Sequence, residues 1–252
     1  PNSTGRLEFL SIDLSDLKSI KPAVEEFTSK ESRLDVLTNN AGVMIPPKGS
    51  VDNQGFELQL GTNCLGPFLF SQLLVPILQK TAADAPVGSV RVTWASSLAA
   101  TLGSPKGGVQ FEADGNVKSF AHDVQTAYGQ SKAANCFLAA EFANHYAKDG
   151  LISVSWNPGN LQTELQRHVP AILKILFKAM LYPAHFGAYT ELYAGWSTDI
   201  TASHNGAYIA PWGRINHTRD DVMAGMKSQK EGGTGTAEKF WAYCEKETAK
   251  FA

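Results

Sequence analysis

The sequence predicts an α/β fold built on a doubly wound, mostly parallel sheet, and two observations carry that expectation. Short apolar runs alternate with stretches of helical periodicity along the whole chain, which is the pattern of strands joined by crossover helices. Each expected strand also ends in a small polar cluster: Asp13, then Asn39 to Gly42, then Ser96-Ser97, then Pro158-Gly159. In a parallel sheet these carboxyl ends crowd one edge, and that edge is where such folds bind their ligands.

In chain order, residues 7–14 form an apolar run followed by Ser15-Asp16, a helix-capping signature that reads as strand, turn and helix. The helix is expected to run to about residue 30. Residues 34–38 predict a second strand opening into Asn39-Asn40-Ala41-Gly42, where Asn and Gly suit a tight turn with close backbone approach. A long helix is expected over 53–80. Inside it, Pro67 has no N–H to offer the carbonyl of Asn63, four residues earlier. The resulting kink has two readings: it holds a water on the Asn63 oxygen within reach of Lys132, or it only fits the helix to the sheet. Residues 89–94 predict the third strand and 100–124 an irregular, Gly-rich stretch. A helix over 127–148 places Ala133, Phe137, Ala140 and Ala147 at helical spacing. Residues 152–156 predict the fourth strand, 186–198 a helix, 207–210 a strand and 236–250 a closing helix.

Composition bounds the function. With 252 residues, 43% apolar and 18% charged, the chain is long enough for one large core, and a single domain over 1–252 is expected. A formal charge of -2 and a pI near 6.3 supply no basic field for nucleic acid. Cys64, Cys136 and Cys244 are odd in number and widely spaced, which fits neither a disulfide framework nor a zinc site. Those thiols point to a reducing, cytoplasmic setting. The histidines show no metal-ligand spacing, so no metal is expected. No run reaches the ~20 apolar residues of a membrane helix, and no signal peptide or initiator Met is seen. The chain reads as one entered partway.

The chemistry centres on Tyr128-Gly129-Gln130-Ser131-Lys132. Residues four apart on a helix share a face, so the Lys132 ammonium is expected to act on the Tyr128 hydroxyl. A free tyrosine titrates at about 10, and a neighbouring cation favours the phenolate. Tyr128 is therefore a candidate proton donor and acceptor, although Tyr-x-x-x-Lys alone also occurs on ordinary helices.

Taken together, Asn39-Asn40-Ala41-Gly42, Asn63 in Thr-Asn-Cys-Leu-Gly-Pro-Phe, Ser96-Ser97, Tyr128-x-x-x-Lys132, and Pro158-Gly159 with Thr163 resemble a classical short-chain dehydrogenase/reductase. The likeness is to the fungal retinol-dehydrogenase-like branch, and it covers nearly the whole chain. It implies a single Rossmann-like domain and hydride transfer between NADP or NAD and a carbonyl or alcohol, with NADP slightly favoured. By this resemblance Tyr128 is the general acid/base, Lys132 holds the nicotinamide ribose and lowers the Tyr pKa, Ser97 binds the substrate oxygen, and Asn63 completes the catalytic set. Ser97 is preferred to Ser96 because the family's serine is usually the second of the pair. Cofactor contacts are implied at Asp13, Asn39, Ala41, Gly42, Pro158, Gly159 and Thr163; Thr163 also suits a plain helix cap ahead of Glu164.

Residues 164–182 are expected to form a substrate lid over a bulky apolar carbonyl compound or alcohol. Core packing and an amphipathic helix on a membrane surface are the rival readings, and a homo-oligomer stays open. Two other functions fit the same motifs: an epimerase or dehydratase of the same fold, and a non-catalytic scaffold. The family's Gly-rich phosphate-binding turn is not found before Asp13, so an N-terminal βαβ portion is expected to be missing. Residues 1–252 alone are then expected to bind dinucleotide weakly.

Overall fold

The computed structural model describes residues 5–162 and 181–252. Thr163 and nearly all of the expected lid lie outside them. The strands are β1 (Val36–Asn39), β2 (Arg91–Ala95), β3 (Ile152–Trp156), β4 (Leu161–Gln162), β5 (Tyr182–Pro183), β6 (Tyr208–Ala210) and β7 (Arg214–Asn216). Five of them make one sheet in the order β1-β2-β3-β6-β7, while β4 and β5 pair with each other. The first four strands of the large sheet are parallel, and β7 returns antiparallel against β6.

The main helices are α1 (Ile20–Lys30), α2 (Leu58–Asp84), α3 (Val124–Tyr146), α4 (His185–Trp196) and α5 (Thr236–Thr248). They cover both faces of the sheet, which is why every residue of β2 and β3 is buried rather than every second one. On one face Val92 and Trp94 join a large core with Phe68 of α2, Phe137 and Phe142 of α3 and Phe240 of α5. On the other, Ala95 with Ile152, Val154 and Trp156 packs against Ala194 of α4. The Trp94 indole N–H donates to Ser153 Oγ at 3.0 Å, so its burial leaves no donor stranded. One window of α2 is long and apolar enough to cross a membrane, but 78% of it is buried in this core.

Helix α2 starts later than expected because residues 50–57 close a loop first. Asp52 N–H donates to Phe56 O at 2.9 Å, Phe56 N–H donates back to Asp52 Oδ1 at 2.9 Å, and Glu57 then caps the helix by accepting from Leu60 N–H.

Arg91 opens β2 and is 5% exposed. Its guanidinium donates to the carbonyls of Gly88, Ala194, Ser197 and Ile200 at 2.8–3.2 Å, closing the carboxyl end of α4, where carbonyls have no helical partner. Arg91→Met keeps the aliphatic stem and removes every donor. It is expected to cost about 3 kcal/mol in urea unfolding, since a hydrogen bond to a charged group contributes ~1.5–3 kcal/mol. A loss under about 1 kcal/mol would mean that water replaces the guanidinium.

The expected first strand is not there. Residues 7–12 carry no ladder, and Leu7 and Phe9 are 101% and 88% exposed. A strand exists by its ladder, and among the described residues neither a neighbour nor the outer edge of β1 pairs with this segment. Direct pairing beside residues 34–38, the alternative arrangement, is also not formed. Instead an open groove of about 830 Å³ runs along β1, lined by Phe9, Leu10, Phe27, Leu74 and Trp196 among others.

Candidate active site

The polar clusters meet as expected. A cleft of about 420 Å³ at the carboxyl ends of β1, β2 and β3 is lined by Asn40, Ser96, Ser97, Tyr128, Lys132, Pro158 and Gly159, with Ala184, Gly187 and Glu191 of α4 closing one side. Asp123 caps α3 by accepting from Thr126 N–H, so Tyr128 and Lys132 fall in its first turns. Gly129 between them allows a backbone contact: a Cβ there would stand 2.2 Å from the Gly103 carbonyl carbon. The helix therefore lies directly on the loop after β2.

Lys132 is fastened from three directions. Its Nζ donates to Ala95 O at 3.0 Å, Asn135 Nδ2 donates to the same carbonyl at 2.9 Å, and Ser96 Oγ donates to Lys132 O at 2.8 Å. Ser96 is thus spent on holding the helix to the strand. Ser97 is half-buried, lines the cleft beside Tyr128, and its Oγ accepts from Ala99 N–H at 3.2 Å.

Burial decides the protonation states here. Tyr128 is 7% exposed and Lys132 6%. Desolvation pushes the Tyr128 phenol up to about 12, with the neighbouring Ser97 hydroxyl a smaller opposing influence, and pulls the Lys132 ammonium down to about 8. The expected lowering of the tyrosine by the lysine is not found. The Lys132 ammonium is turned to the Ala95 carbonyl and stands 5.7 Å from the Tyr128 ring centroid, and burial outweighs its pull. Tyr128 therefore keeps its proton at neutral pH. Between about pH 8 and the usual lysine value of 10.5 the unfolded chain holds a proton that the folded chain has released. Stability contributed by this group consequently rises with pH across that window.

Asn63 sits deeper. A π-helical turn over Gly61–Leu65, in which Gly66 N–H reaches back to Gly61 O, precedes Pro67. The kink expected from the proline takes this form, because a wider turn absorbs the missing N–H. The Asn63 amide pairs with both backbone groups of Val43, at 2.8 and 2.9 Å, and donates to Ser131 Oγ at 3.0 Å. It staples the loop after β1 to α3. A Cβ on Gly42 would stand 2.8 Å from Asn63 Oδ1, so glycine lets that loop close on the Asn63 amide.

Of the other expected contacts, Pro158 and Gly159 line the cleft. Asn39 points away, donating to Ser71 Oγ at 2.9 Å; strand alternation turns it into the core and Asn40 toward the cleft. Asp13 is exposed and accepts from Ser15 in a turn, and Ala41 is exposed. Asn40 was legible in the motif through that alternation; Glu191 left no sequence signal. The buried lysine, the tyrosine hydroxyl and the glycine-bordered space fit a nicotinamide ribose. Among the described residues no glycine-rich turn offers itself to the phosphates.

The family model described as short chain dehydrogenase matches residues 2–110. The chain is 44% identical to a short-chain dehydrogenase/reductase of Phomopsis amygdali, over 100% of this chain and 76% of that protein. It is 42% identical to the short-chain dehydrogenase/reductase iacJ of Pestalotiopsis fici, over 99% and 75%. Among solved structures it is similar to an uncharacterised protein of Mycobacterium Paratuberculosis, with a TM-score of 0.61 and 28% identity over 94% of this chain and 74% of that one. NADPH-bound carbonyl reductase from chicken fatty liver, at 19% identity and a TM-score of 0.58 over 82% and 75%, shares the fold alone. The class is thus an α/β oxidoreductase with a Rossmann-like sheet. The chain belongs to the short-chain dehydrogenase/reductase family.

Proposed function

We propose that this protein interconverts a bulky apolar carbonyl compound and its alcohol, with Tyr128 as general acid/base and NADP or NAD as the partner nucleotide. The observation that carries the reading is the trio that lines one cleft at the sheet edge: a buried, protonated Tyr128, a half-buried Ser97, and Lys132 anchored beside them. Reducing a ketone develops negative charge on its oxygen, and two hydroxyl donors in a dry cleft stabilise that charge. The Tyr128 proton then completes the alcohol. A nicotinamide nucleotide supplies the hydride when bound. Lys132, Tyr128, Pro158 and Gly159 would hold its nicotinamide half, with Thr163, and Asp13, Ala41 and Gly42 its adenosine half, where Asn39 could offer only its backbone because its side chain is bonded to Ser71. Asn63 positions the loop at Gly42. Residues 164–182 are the proposed lid, and the three buried, free cysteines support a cytoplasmic setting.

The test is oxidation of NADPH or NADH on adding apolar ketones to the purified protein. Reduction is expected to fall as pH rises through about 8, where Lys132 loses its charge, well before Tyr128 loses its proton. Lys132→Ala should abolish that alkaline limb and weaken nucleotide binding. Failure of every ketone at saturating nucleotide would overturn the reading.

A further inference from the structure

Beside the cleft, on the side away from β1, stands a cluster of aromatic side chains that the reaction itself does not use. Trp212 follows β6, Tyr182 lies in β5, and Phe186 lies in the first turn of α4. The ring centroids of Tyr182 and Trp212 are 4.6 Å apart at 73°, and those of Phe186 and Trp212 are 5.6 Å apart at 70°. These edge-to-face contacts fix the orientation of each ring. Yet Tyr182 and Trp212 remain 44% and 37% exposed.

The cluster is continuous with the cleft. Gly159, with φ near +90°, lies against Trp212: a Cβ there would stand in van der Waals contact, 3.7 Å from Trp212 Cζ2. Tyr182 N–H donates to Asn160 O at 2.8 Å, and Tyr182 is the register partner of Leu161. Gly187, one residue beyond Phe186, lets Leu161 come so close that a Cβ would stand 2.4 Å from its Cδ1. Gly159, Asn160, Leu161 and Gly187 all line the catalytic cleft. Tyr182 and Phe186, four residues apart, and Trp212 from beyond β6 are thus gathered next to residues that line the space holding Tyr128 and Ser97.

We propose that Tyr182, Phe186 and Trp212 form a stacking subsite, and that the substrate carries an aromatic ring next to its carbonyl. This rests on the carbonyl-reductase reading above and narrows its substrate class. A saturated substrate of equal size would bury the same apolar area. Only a flat ring also gains from the oriented quadrupoles of Trp212 and Tyr182, an increment that corresponds to about three- to tenfold in affinity.

The experiment is calorimetric titration of the protein with 2-acetylnaphthalene and with its saturated counterpart, 2-acetyldecalin, under saturating NADP+ so that no hydride moves. The aryl ketone is expected to bind about three- to tenfold tighter. Trp212→Leu and Tyr182→Leu should each remove that preference while the saturated ketone changes less than about twofold, and Trp212→Phe should keep it. Equal affinity of the two ketones for the parent protein would overturn the subsite, and so would equal losses for both ketones in both Leu variants. An aryl preference without NADPH oxidation would leave the subsite standing and remove the reduction reading; turnover without the preference would do the reverse. If the parent but not Trp212→Leu sedimented with phosphatidylcholine–phosphatidylserine vesicles, and no aryl preference were seen, the cluster would be a membrane contact and the subsite would fall.

Discussion

Tyr128→Phe protein is expected to lose ketone reduction by at least about a thousandfold while melting within a few degrees of the parent. The size follows from two roles held by one oxygen. General acid catalysis contributes ~10²–10⁴-fold, and a donor to the developing oxyanion contributes about a hundredfold or more. The phenylalanine ring fills the same buried volume beside Ala127 and Lys132, all three being buried on α3, so packing changes little. Steady-state NADPH oxidation with circular dichroism on the same samples separates the two effects. Parental rates in Tyr128→Phe would mean that the proton comes from elsewhere.

The second large effect divides the serine pair. Ser97→Ala is expected to lower kcat by ~10²–10³-fold with little change in KM, because its hydroxyl strengthens its hold on the substrate oxygen as charge develops. Ser96→Ala is expected to leave kcat within about fivefold and to cost about 1 kcal/mol of stability instead. Its Oγ is buried, donates to the Lys132 carbonyl at 2.8 Å and lies 3.3 Å from Cys136 Sγ. It therefore bonds the strand to the helix and offers the cleft little. Kinetics and urea unfolding on both variants give a crossed pattern if this division is right, and equal kinetic losses would refute it.

Much of this site could be read before folding. The i, i+4 placement of Tyr128 and Lys132 is a property of helical geometry, and the ends of β2 and β3 follow from where apolar runs stop, so Ser96-Ser97 and Pro158-Gly159 reach one edge as expected. Local pattern failed where a partner was needed: residues 7–12 have strand composition but no ladder among the described residues. The hairpin of β6 and β7 and the π-turn before Pro67 also escaped, since the first lies in three-residue strands and the second in one extra residue of helical register.

What the sequence determined by itself is the order of the elements and the identity of the polar residues at the strand ends, because both are encoded within a few neighbouring residues. The tertiary structure alone decided their roles. It turned Asn39 toward Ser71, committed Ser96 to the lysine helix and left Ser97 facing the cleft, and set Asn63 between Val43 and Ser131. It also raised the Tyr128 phenol to about 12 where a neighbouring cation alone would have lowered it. The physical reason is that burial and long-range packing set both the free energy of a charge and the direction of a side chain. Neither is a function of the few residues on either side, and the meeting of Trp212 with Tyr182, Phe186 and Gly159 is a contact that no local spacing predicts.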